Sequence, residues 1–148
     1  GGRALASIRE DVQFSNPTIS ESSFKINENF DSENFEGFGD IKLNLKKYYY
    51  EENNEIDNNN NNNGSALLSL EIIIGDIDWK YPFMFKVEIE SFFEWENFKG
   101  TDIDKFLEIN GAAILYSYSR AHISHITNTS KYPSFDLPFY NFTDNDYQ

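Results

Sequence analysis

The sequence predicts an α+β fold, in which a four-stranded antiparallel sheet packs against one long C-terminal helix. Three observations carry this prediction. Apolar and polar residues alternate in the first two thirds of the 148-residue chain, which is typical of strands with one buried face. In the last third the apolar residues recur at helical spacing. The strands precede the helix instead of alternating with helices, which places the helix on one face of an antiparallel sheet.

The first strand is expected to be bent or to lie at an edge of the sheet. Residues 12–26 alternate only in patches, with Val12 and Phe14 before an interruption and Phe24 after it. Pro17 lies at the interruption, and proline has no amide hydrogen to give to a neighbouring strand. It is therefore confined to edge strands and bulges.

Residues 27–40 form a polar, glycine-containing loop that nevertheless holds three phenylalanines, Phe30, Phe35 and Phe38. Large apolar side chains on such a loop must pack against something. In one interpretation they are a lid that closes the domain's own core, which is the ordinary fate of large aromatic residues. In the other they form one wall of an apolar groove that accepts a flexible apolar ligand.

Three further strands follow this loop. They are expected within residues 41–50, 67–74 and 83–95. In the last of these, Phe83 and Phe85 begin a regular alternation of apolar and polar side chains. Together with the bent strand, this predicts a meander of about four strands.

The helical signal begins at Thr101, which with Asp104 three residues later resembles a capping box. Apolar residues follow at helical spacing. A break is expected at Asn110-Gly111. After it, residues 112–127 present a broad apolar face over four turns.

This apolar face is too broad for one sheet to cover. A helix that packs on a single sheet would keep only one apolar stripe. We therefore expect the protein to form more than a monomer. The residues expected at the interface between copies are Ile114, Leu115, Tyr118, His122 and Ile126.

The chain is expected to fold as a single domain, because its length lies within the usual range for one. The domain covers residues 12–142, with flexible segments at 1–11 and 143–148. Residues 51–64 contain six consecutive asparagines. They are expected to form a mobile loop, since such a tract has no apolar surface to bury.

The charge and the absence of cysteine exclude several classes of protein. The chain has 25 Asp and Glu against 12 Lys and Arg, a net charge of −13, which repels nucleic acid phosphates and anionic lipid surfaces. Without cysteine there is no disulfide framework, no thiolate catalysis and no cysteine-ligated zinc. No apolar run approaches the ~18 residues of a membrane helix, and no signal-peptide pattern is present, so we expect a cytoplasmic protein without membrane insertion.

No feature of the sequence points to an enzyme. Motifs for nucleotide binding, serine hydrolysis and zinc proteolysis are absent. His122 and His125 could share a metal, but no third ligand follows at a suitable spacing. Short D-x-D steps lack the remaining ligands of a calcium loop. We therefore expect no catalytic residue, no metal and no cofactor.

Four segments follow the pattern of a known family. Residues 110–120 (NGAAILYSYSR) are similar to a helix start written ILFPYAR, and residues 132–142 (YPSFDLPFYNF) to a segment written FPxLxLxPxNF. Residues 41–45 and 85–93 are similar to the second and third strands of the same family. In this order the segments resemble the SecB family of export chaperones. The resemblance covers roughly residues 12–142.

This resemblance implies an ATP-independent holdase, a homotetramer built as a dimer of dimers, that binds unfolded polypeptide in long apolar grooves. Phe35 and Phe38 fall near the family's aromatic position in the loop before its second strand. Apolar residues after the helix match other positions of the groove. The expected client-binding residues are Phe30, Phe35, Phe38, Tyr132, Phe135 and Leu137.

The resemblance also bears on the partners. The client would be a preprotein in protein transport or the antitoxin of a toxin–antitoxin system. The family's translocase motor docks on carboxylates of the sheet surface. This chain keeps a carboxylate at one of these positions, Glu21, whereas Lys25 and Lys86 stand at positions expected to be acidic. These lysines argue against docking of the motor and favour the SecB-like chaperones that guard an antitoxin.

A second hypothesis uses the same fold differently. The chain could be a dedicated interaction module that binds one folded partner as an inhibitor or adaptor, and fold alone does not separate the two. A holdase would suppress the aggregation of unrelated unfolded clients, whereas a dedicated module would not. In either case the negative charge would keep an exposed apolar surface soluble.

Overall fold

The computed structural model describes residues 5–9, 11–38, 41–50, 63–75, 81–100 and 102–143. Within them the chain forms one antiparallel sheet and one long helix, so the predicted fold class is confirmed. The strands are β1 (Leu5–Arg9), β2 (Val12–Ser15), β3 (Thr18–Ile26), β4 (Lys42–Tyr50), β5 (Gly64–Gly75) and β6 (Phe83–Trp95). The helical part comprises α1 (Ile103–Phe106), a π-helical turn (Leu107–Gly111) and α2 (Ala112–Asn128).

The sheet is organised around β6. β5 pairs with one edge of β6, and β4 continues the sheet beyond β5. β2 and β3 both pair with β6, each along a different part of its length, and β1 pairs with β2. These pairings are all antiparallel. The sheet therefore has six strands among the described residues, where four were expected.

Two features of the N-terminal part account for the larger number of strands. The bent strand predicted at 12–26 is divided into β2 and β3 at Pro17. The segment 1–11, which was expected to be flexible, contributes β1, whose backbone pairs with β2. Its five residues are too few to carry a clear alternation, so only the pairing reveals the strand.

A pair of buried serines replaces the β-ladder at the interruption between β2 and β3. The Phe92 amide donates to the Oγ of Ser15 (3.0 Å), and the Oγ of Ser91 donates to the Ser15 carbonyl (2.5 Å). Both serine side chains are buried. An unsatisfied buried backbone group costs about 1–3 kcal/mol, so these two bonds stabilise the interruption that Pro17 introduces.

The core lies on the side of the sheet that faces the helix. Every second residue of β6 is buried on that side, which follows from the two-residue period of a strand. α2 packs across β5 and β6 and buries Leu115, Ser119 and Ile123, which recur every four residues. Gly111 allows a close approach of helix and sheet, since a Cβ atom there would lie 2.4 Å from Cδ2 of Leu68.

The helix is continuous over residues 103–128, so the break expected at Asn110-Gly111 is wrong. A π-helical turn occupies this position. Glycine is present because the sheet leaves no room for a side chain, and Gly111 keeps helical backbone angles. Asp102 caps the helix by accepting a hydrogen bond from the amide three residues later (3.0 Å). The expected cap, Thr101, lies outside the described residues.

An ion network fastens the start of the helix to β4. Lys47 forms ion pairs with Asp104 (3.0 Å) and Glu108 (3.2 Å), and the hydroxyl of Tyr49 donates to Asp104. The hydrogen bonds from Tyr49 and then from Lys47 hold the pKa of Asp104 below its ordinary value. Burial, together with the bond to Asp104, raises the pKa of Tyr49.

We expect Asp104→Asn to lower the free energy of unfolding by about 0.5–1 kcal/mol at pH 7, a small effect because solvent screens the half-exposed carboxylate. Since the folded-state pKa of Asp104 is lowered, its stabilisation is fully present above the ordinary value of 3.8. It is lost as the pH falls through the folded-state pKa. Urea unfolding of both proteins at neutral pH and at an acidic pH would measure the difference, which should shrink in acid.

The matched control for this prediction is Glu36→Gln, which removes an exposed carboxylate on the loop before β4. This variant should unfold like the parent protein at both pH values. An Asp104→Asn effect of equal size at both pH values would contradict the electrostatic origin of the stabilisation.

Two of the expected segments lie mostly outside the described residues. The asparagine-rich loop at 51–64 is described only at Asn63 and at Gly64, where β5 begins. The tail at 143–148 is described only at Thr143. The limits of the domain therefore stay a prediction.

Candidate functional site

The connection between β3 and β4 passes from one side of the sheet to the other. β3 pairs with β6, whereas β4 lies beyond β5, so this connection crosses the end of the β5–β6 hairpin. Asn27 fastens its start, because its backbone amide donates to the Pro82 carbonyl (2.9 Å) and its side-chain amide to the Tyr81 carbonyl (2.8 Å). The loop phenylalanines are therefore held at one end of the sheet.

The local backbone structure determines where the side chains of these phenylalanines lie. A short 3-10 turn at Ser32–Asn34 is capped by Asp31, whose Oδ1 accepts a hydrogen bond from the Glu33 amide (3.0 Å). Gly37 has a φ of +97°, a left-handed conformation that residues with a side chain rarely adopt. The turn precedes Phe35 and the glycine lies between Phe35 and Phe38, so both set the path of the backbone that carries the two rings.

The loop and the segment after the helix meet at Phe38 and Phe135, which we call the inner rings. Their centroids lie 4.9 Å apart, and Phe38 lies 5.0 Å from the buried Phe83. Phe38 also stacks on Tyr81 at 5.6 Å, with the two planes inclined by 9°. The inner rings are thus continuous with the core.

Three half-buried residues, Phe30, Phe35 and Tyr132, lie next to the inner rings, and we call them the outer rings. Phe35 packs edge-on against Phe38 (5.4 Å) and against Phe30 (5.3 Å). Phe30 in turn packs edge-on against Tyr132 (5.6 Å). Such edge-to-face contacts are favoured arrangements of aromatic pairs, so the outer rings form an ordered apolar surface.

A buried threonine positions the segment that carries Tyr132 and Phe135. Thr127 is fully buried near the end of α2. Its hydroxyl donates to the Ile123 carbonyl (2.8 Å) and accepts a hydrogen bond from the Phe135 amide (2.8 Å). Ser130 adds a second contact, because its Oγ accepts from the Tyr132 amide (3.1 Å). The segment is therefore tied to the end of the helix.

The structure brings together five of the six residues predicted to bind a client. The sixth, Leu137, is only 7% exposed and packs in the core, so we correct its assignment to a structural residue. Tyr81 also belongs to the cluster, although nothing in the sequence singled it out. The only local signal was Pro82, which marks a turn before β6, and the crossing connection alone places Phe38 beside it.

Each interpretation of the loop phenylalanines describes part of this cluster. Phe38 packs against the core, as a lid would. Phe30 and Phe35 contact other aromatic rings and stay half-buried, as the wall of a groove would. All five rings are half-buried, and their contacts separate an inner layer that packs on the core from an outer layer that packs on other rings.

The residues predicted to lie between copies are mostly covered within the protomer. Leu115 is fully buried against the sheet, and the Nε2 atom of the half-buried His122 lies 2.7 Å from a serine hydroxyl of β3. Ile114 and Ile126 pack partly on the core. Among these five residues only Tyr118, at 48% exposure, is an exposed large side chain. We therefore correct Leu115 and His122 to residues that face the sheet.

The segment after the helix explains why the apolar face is broad. It runs back along α2, where the Tyr116 hydroxyl donates to the Pro138 carbonyl (2.6 Å). The Tyr116 ring also packs against Tyr140 (6.0 Å) and Phe142 (5.5 Å). The sheet and this segment cover the helix together, so the breadth of its apolar face does not require a second copy. The oligomeric state stays a prediction.

Glu21, the predicted docking residue, lies exposed on the outer face of the sheet, which is the face away from the helix. It forms an ion pair with Lys86 (3.8 Å), and Lys86 also pairs with Glu71 (3.3 Å). The hydrogen bond to Glu71 and the charge of Glu21 raise the pKa of Lys86. A lysine thus partly neutralises the carboxylate that was expected to receive the translocase motor.

Two kinds of site are absent from the part of the chain that the structure describes. No group of three or more His, Cys, Asp or Glu side chains there could hold a metal ion. No helix there is long and apolar enough to cross a membrane.

Burial, with a contribution from His125, lowers the pKa of His122, which favours the neutral imidazole beside Ser22.

The family model described as preprotein translocase subunit SecB matches residues 40–145, which is more than two thirds of the chain. The chain belongs to the SecB family. The part that matches SecB includes Tyr132 and Phe135 of the aromatic cluster and begins after Phe38. Among curated proteins, no sequence matches the chain significantly.

Two solved structures share the SecB-like fold of this chain. One is a protein of unknown function from Streptococcus agalactiae, 15% identical, with 92% of this chain and 99% of that chain covered at a TM-score of 0.59. The other is the SecB-like chaperone Rv1957 of Mycobacterium tuberculosis, in complex with a ChAD peptide from the antitoxin HigA1. It is 12% identical, with 88% of this chain and 91% of that chain covered at a TM-score of 0.56. At these identities the similarity concerns the fold.

Proposed function

We propose that this member of the SecB family is a holdase chaperone, which binds unfolded polypeptide at the outer rings Phe30, Phe35 and Tyr132. The observation that carries the proposal is the ordered, half-buried aromatic surface at the end of the sheet. Phe35 and Tyr132 each contact Phe30, and these three large aromatic side chains, only partly covered by their own chain, offer apolar area to a partner.

Unfolded polypeptides of many sequences would bind such a surface, because apolar burial is non-directional and scales with the area removed from water. Fully burying one phenylalanine side chain stabilises a complex by roughly 1.5–3 kcal/mol. Each half-buried ring would contribute a part of this stabilisation when a client covers it. The rings are already held by edge-to-face contacts, so little ordering would oppose binding. A single cluster therefore supports weak binding, and several clusters in one assembly would add avidity.

The charge of the chain supports the same function. A net charge of −13 keeps copies of the protein apart while an apolar surface stays exposed. A dimer of dimers, which the resemblance to the family implies, would carry four times this charge and four such clusters. Binding would not need ATP, as the resemblance to the family implies.

We favour an antitoxin over a preprotein as the client. Lys86 pairs with Glu21 on the outer face, which weakens the negative surface that a translocase motor would need. The SecB-like chaperone of similar fold from Mycobacterium tuberculosis was solved with an antitoxin peptide, a precedent for such a client. Both kinds of client are unfolded polypeptides, and a cytoplasmic site of action suits both.

An aggregation assay tests the holdase. Three unrelated model proteins would be diluted from denaturant with and without the chain, without nucleotide, and their light scattering followed. We expect suppression of aggregation for all three, since the outer rings recognise apolar area and not one sequence. A chain that protects none of them would overturn the proposal and would favour a dedicated inhibitor or adaptor, which recognises one folded partner.

A further inference from the structure

The outer face of the sheet carries a lysine-rich surface at the end where β5 is followed by β6. Lys42 of β4 and Lys86 of β6 are both neighbours of Ile73, which lies on β5 between them. Two residues farther along β6, Met84 is the neighbour of Lys25 on β3. We call these five residues, Lys25, Lys42, Ile73, Met84 and Lys86, the basic corner.

The two-residue period of the strands explains the apolar centre of the basic corner. The residues on either side of Ile73 are buried toward the helix, as are those at odd positions of β6, so Ile73 and Met84 lie on the opposite face. Both are only half-buried. Neighbouring strands lie about 4.8 Å apart, so the Cα atoms of Lys42 and Lys86 are about 10 Å apart, with Ile73 between them.

The lysines of the basic corner are only partly neutralised. Lys86 forms ion pairs with Glu21 (3.8 Å) and Glu71 (3.3 Å). Lys25 and Lys42 are exposed and form no ion pair with any residue that the structure describes. Salt screens exposed charges that are more than about 8 Å apart at physiological ionic strength, so the net charge of −13 acts weakly here. The corner therefore combines two unpaired cations with an apolar centre.

The next row of this face is acidic and limits where a partner can lie. Glu21, Glu71 and Glu88 are neighbours on β3, β5 and β6. The first two pair with Lys86, and the carboxylate of Glu88 accepts a hydrogen bond from the Oγ atom of Ser20 (3.4 Å). This row would repel an acidic segment, which would therefore be held at the lysines.

We propose that the basic corner binds an acidic polypeptide segment of a partner protein, in which two carboxylates flank one apolar side chain. The carboxylates would pair with Lys25 and Lys42, whose Cα atoms lie about 16 Å apart across four strands. The apolar side chain would cover Ile73 and Met84. In an extended segment, residues four positions apart are separated by about 13 Å, and the lysine side chains span the remaining distance.

This site goes beyond the proposed holdase function and lies apart from the outer rings, on the other face of the sheet. It also differs in charge from a docking surface made of carboxylates, since it selects a partner with acidic side chains.

A peptide titration tests the proposal on the full chain. The probe is acetyl-Glu-Gly-Leu-Gly-Glu-amide, and its two matched controls carry glutamine in place of each glutamate or serine in place of leucine. Amide NMR spectra of the isotopically labelled protein at about 0.15 M salt should shift at Lys42, Ile73 and Met84. The glutamine peptide should bind at least about tenfold more weakly, because it loses the charge-assisted pairs. The serine peptide should bind several-fold more weakly, because it buries no apolar side chain.

Two double variants locate the site. Lys25→Gln with Lys42→Gln should weaken binding of the probe about tenfold. The matched control, Lys99→Gln with Lys105→Gln, removes the same charge from two exposed lysines outside the sheet and should leave the affinity unchanged. Equal losses in both double variants would mean attraction to overall charge and would overturn the proposal. Equal binding of the probe and of either control peptide would overturn it as well.

The outcome is independent of the holdase test. Lys25→Gln with Lys42→Gln removes no apolar area from the outer rings, so this variant should suppress aggregation as the parent protein does. Loss of probe binding with intact holdase activity would therefore support the basic corner as a separate site. Holdase failure with intact probe binding would overturn only the proposed function.

Discussion

Replacing Phe30 and Phe35 with serine should weaken the binding of unfolded polypeptide at least tenfold and leave the fold intact. The two rings contact each other and belong to the outer layer of the aromatic cluster, whereas the core is closed by Phe38 and Phe135. Each ring contributes part of the roughly 1.5–3 kcal/mol that full burial of a phenylalanine provides. If the removal of both rings costs only about 1.4 kcal/mol of binding free energy in total, the affinity already falls about tenfold.

Fluorescence anisotropy of a labelled, permanently unfolded model protein would measure this affinity, and the aggregation assay would report the same change. The matched control is Tyr48→Ser, which removes an exposed aromatic ring from the outer face of the sheet. It should leave affinity within about twofold of the parent protein, because only the rings at the end of the sheet are expected to contact the client.

The double variant also separates the two interpretations of these rings. If they serve only as a lid, Phe30→Ser with Phe35→Ser would lower the thermal midpoint by many degrees and leave client affinity unchanged. If they form the wall of a groove, affinity falls while the midpoint moves by only a few degrees. Unchanged affinity in a folded variant would refute the assignment of the outer rings to client binding.

The sequence was most informative where one face of an element is buried and the other is not. The alternation in 83–90 located β6, and the helical period after Gly111 located α2, because burial imposes these periods directly. Pro17 marked the division of the first strand for an equally local reason, its missing amide. Features with a local physical cause could therefore be predicted.

Features that depend on which elements meet could not be predicted in the same way. Tyr81 joins the cluster only because the β3–β4 connection crosses above its turn. Leu137 and Leu115 are apolar residues of the kind that suits an interface, and only the packing of the described residues shows that both are enclosed. The break expected at Asn110-Gly111 has the same origin, since the sequence displays a glycine but not the Leu68 side chain beside it.

The width of the apolar face of α2 does not by itself show which surface covers it. A broad face implies that more than one surface covers it, and the sequence suggested a second copy as that surface. In the protomer, the segment around Pro138 and Tyr140 covers the flank of α2 at Tyr116. The aromatic residues of this segment therefore cover part of the helix face that the sequence assigned to a second copy.

Thr127→Val should lower the free energy of unfolding by about 1–3 kcal/mol and release the segment that follows the helix. Valine nearly preserves the shape and the β-branching of threonine but has no hydroxyl, so the Phe135 amide would lose its acceptor (2.8 Å in the parent protein). Thr127 is fully buried, which leaves no water to replace the lost bond.

The same substitution should reach the candidate site. Phe135 contacts Phe38 at 4.9 Å, and Tyr132 contacts Phe30 at 5.6 Å, so both layers of the cluster depend on the position of this segment. Client affinity should therefore fall several-fold in Thr127→Val, although the substituted side chain lies too deep to touch a client. Chemical unfolding, amide hydrogen exchange at Phe135 and the anisotropy assay would measure the three effects.

Thr127→Ser provides the matched control, because it keeps the hydroxyl and removes one methyl group. Serine should lose some stability, about 1 kcal/mol for one buried methyl group, but keep the Phe135 amide protected from exchange and keep client affinity near that of the parent protein. Protection of Phe135 that is lost equally in both variants would show that packing, and not the hydroxyl, holds the segment. Full protection of the Phe135 amide in Thr127→Val would mean that the ring contacts of Phe135, and not the hydrogen bond to Thr127, keep this residue in place.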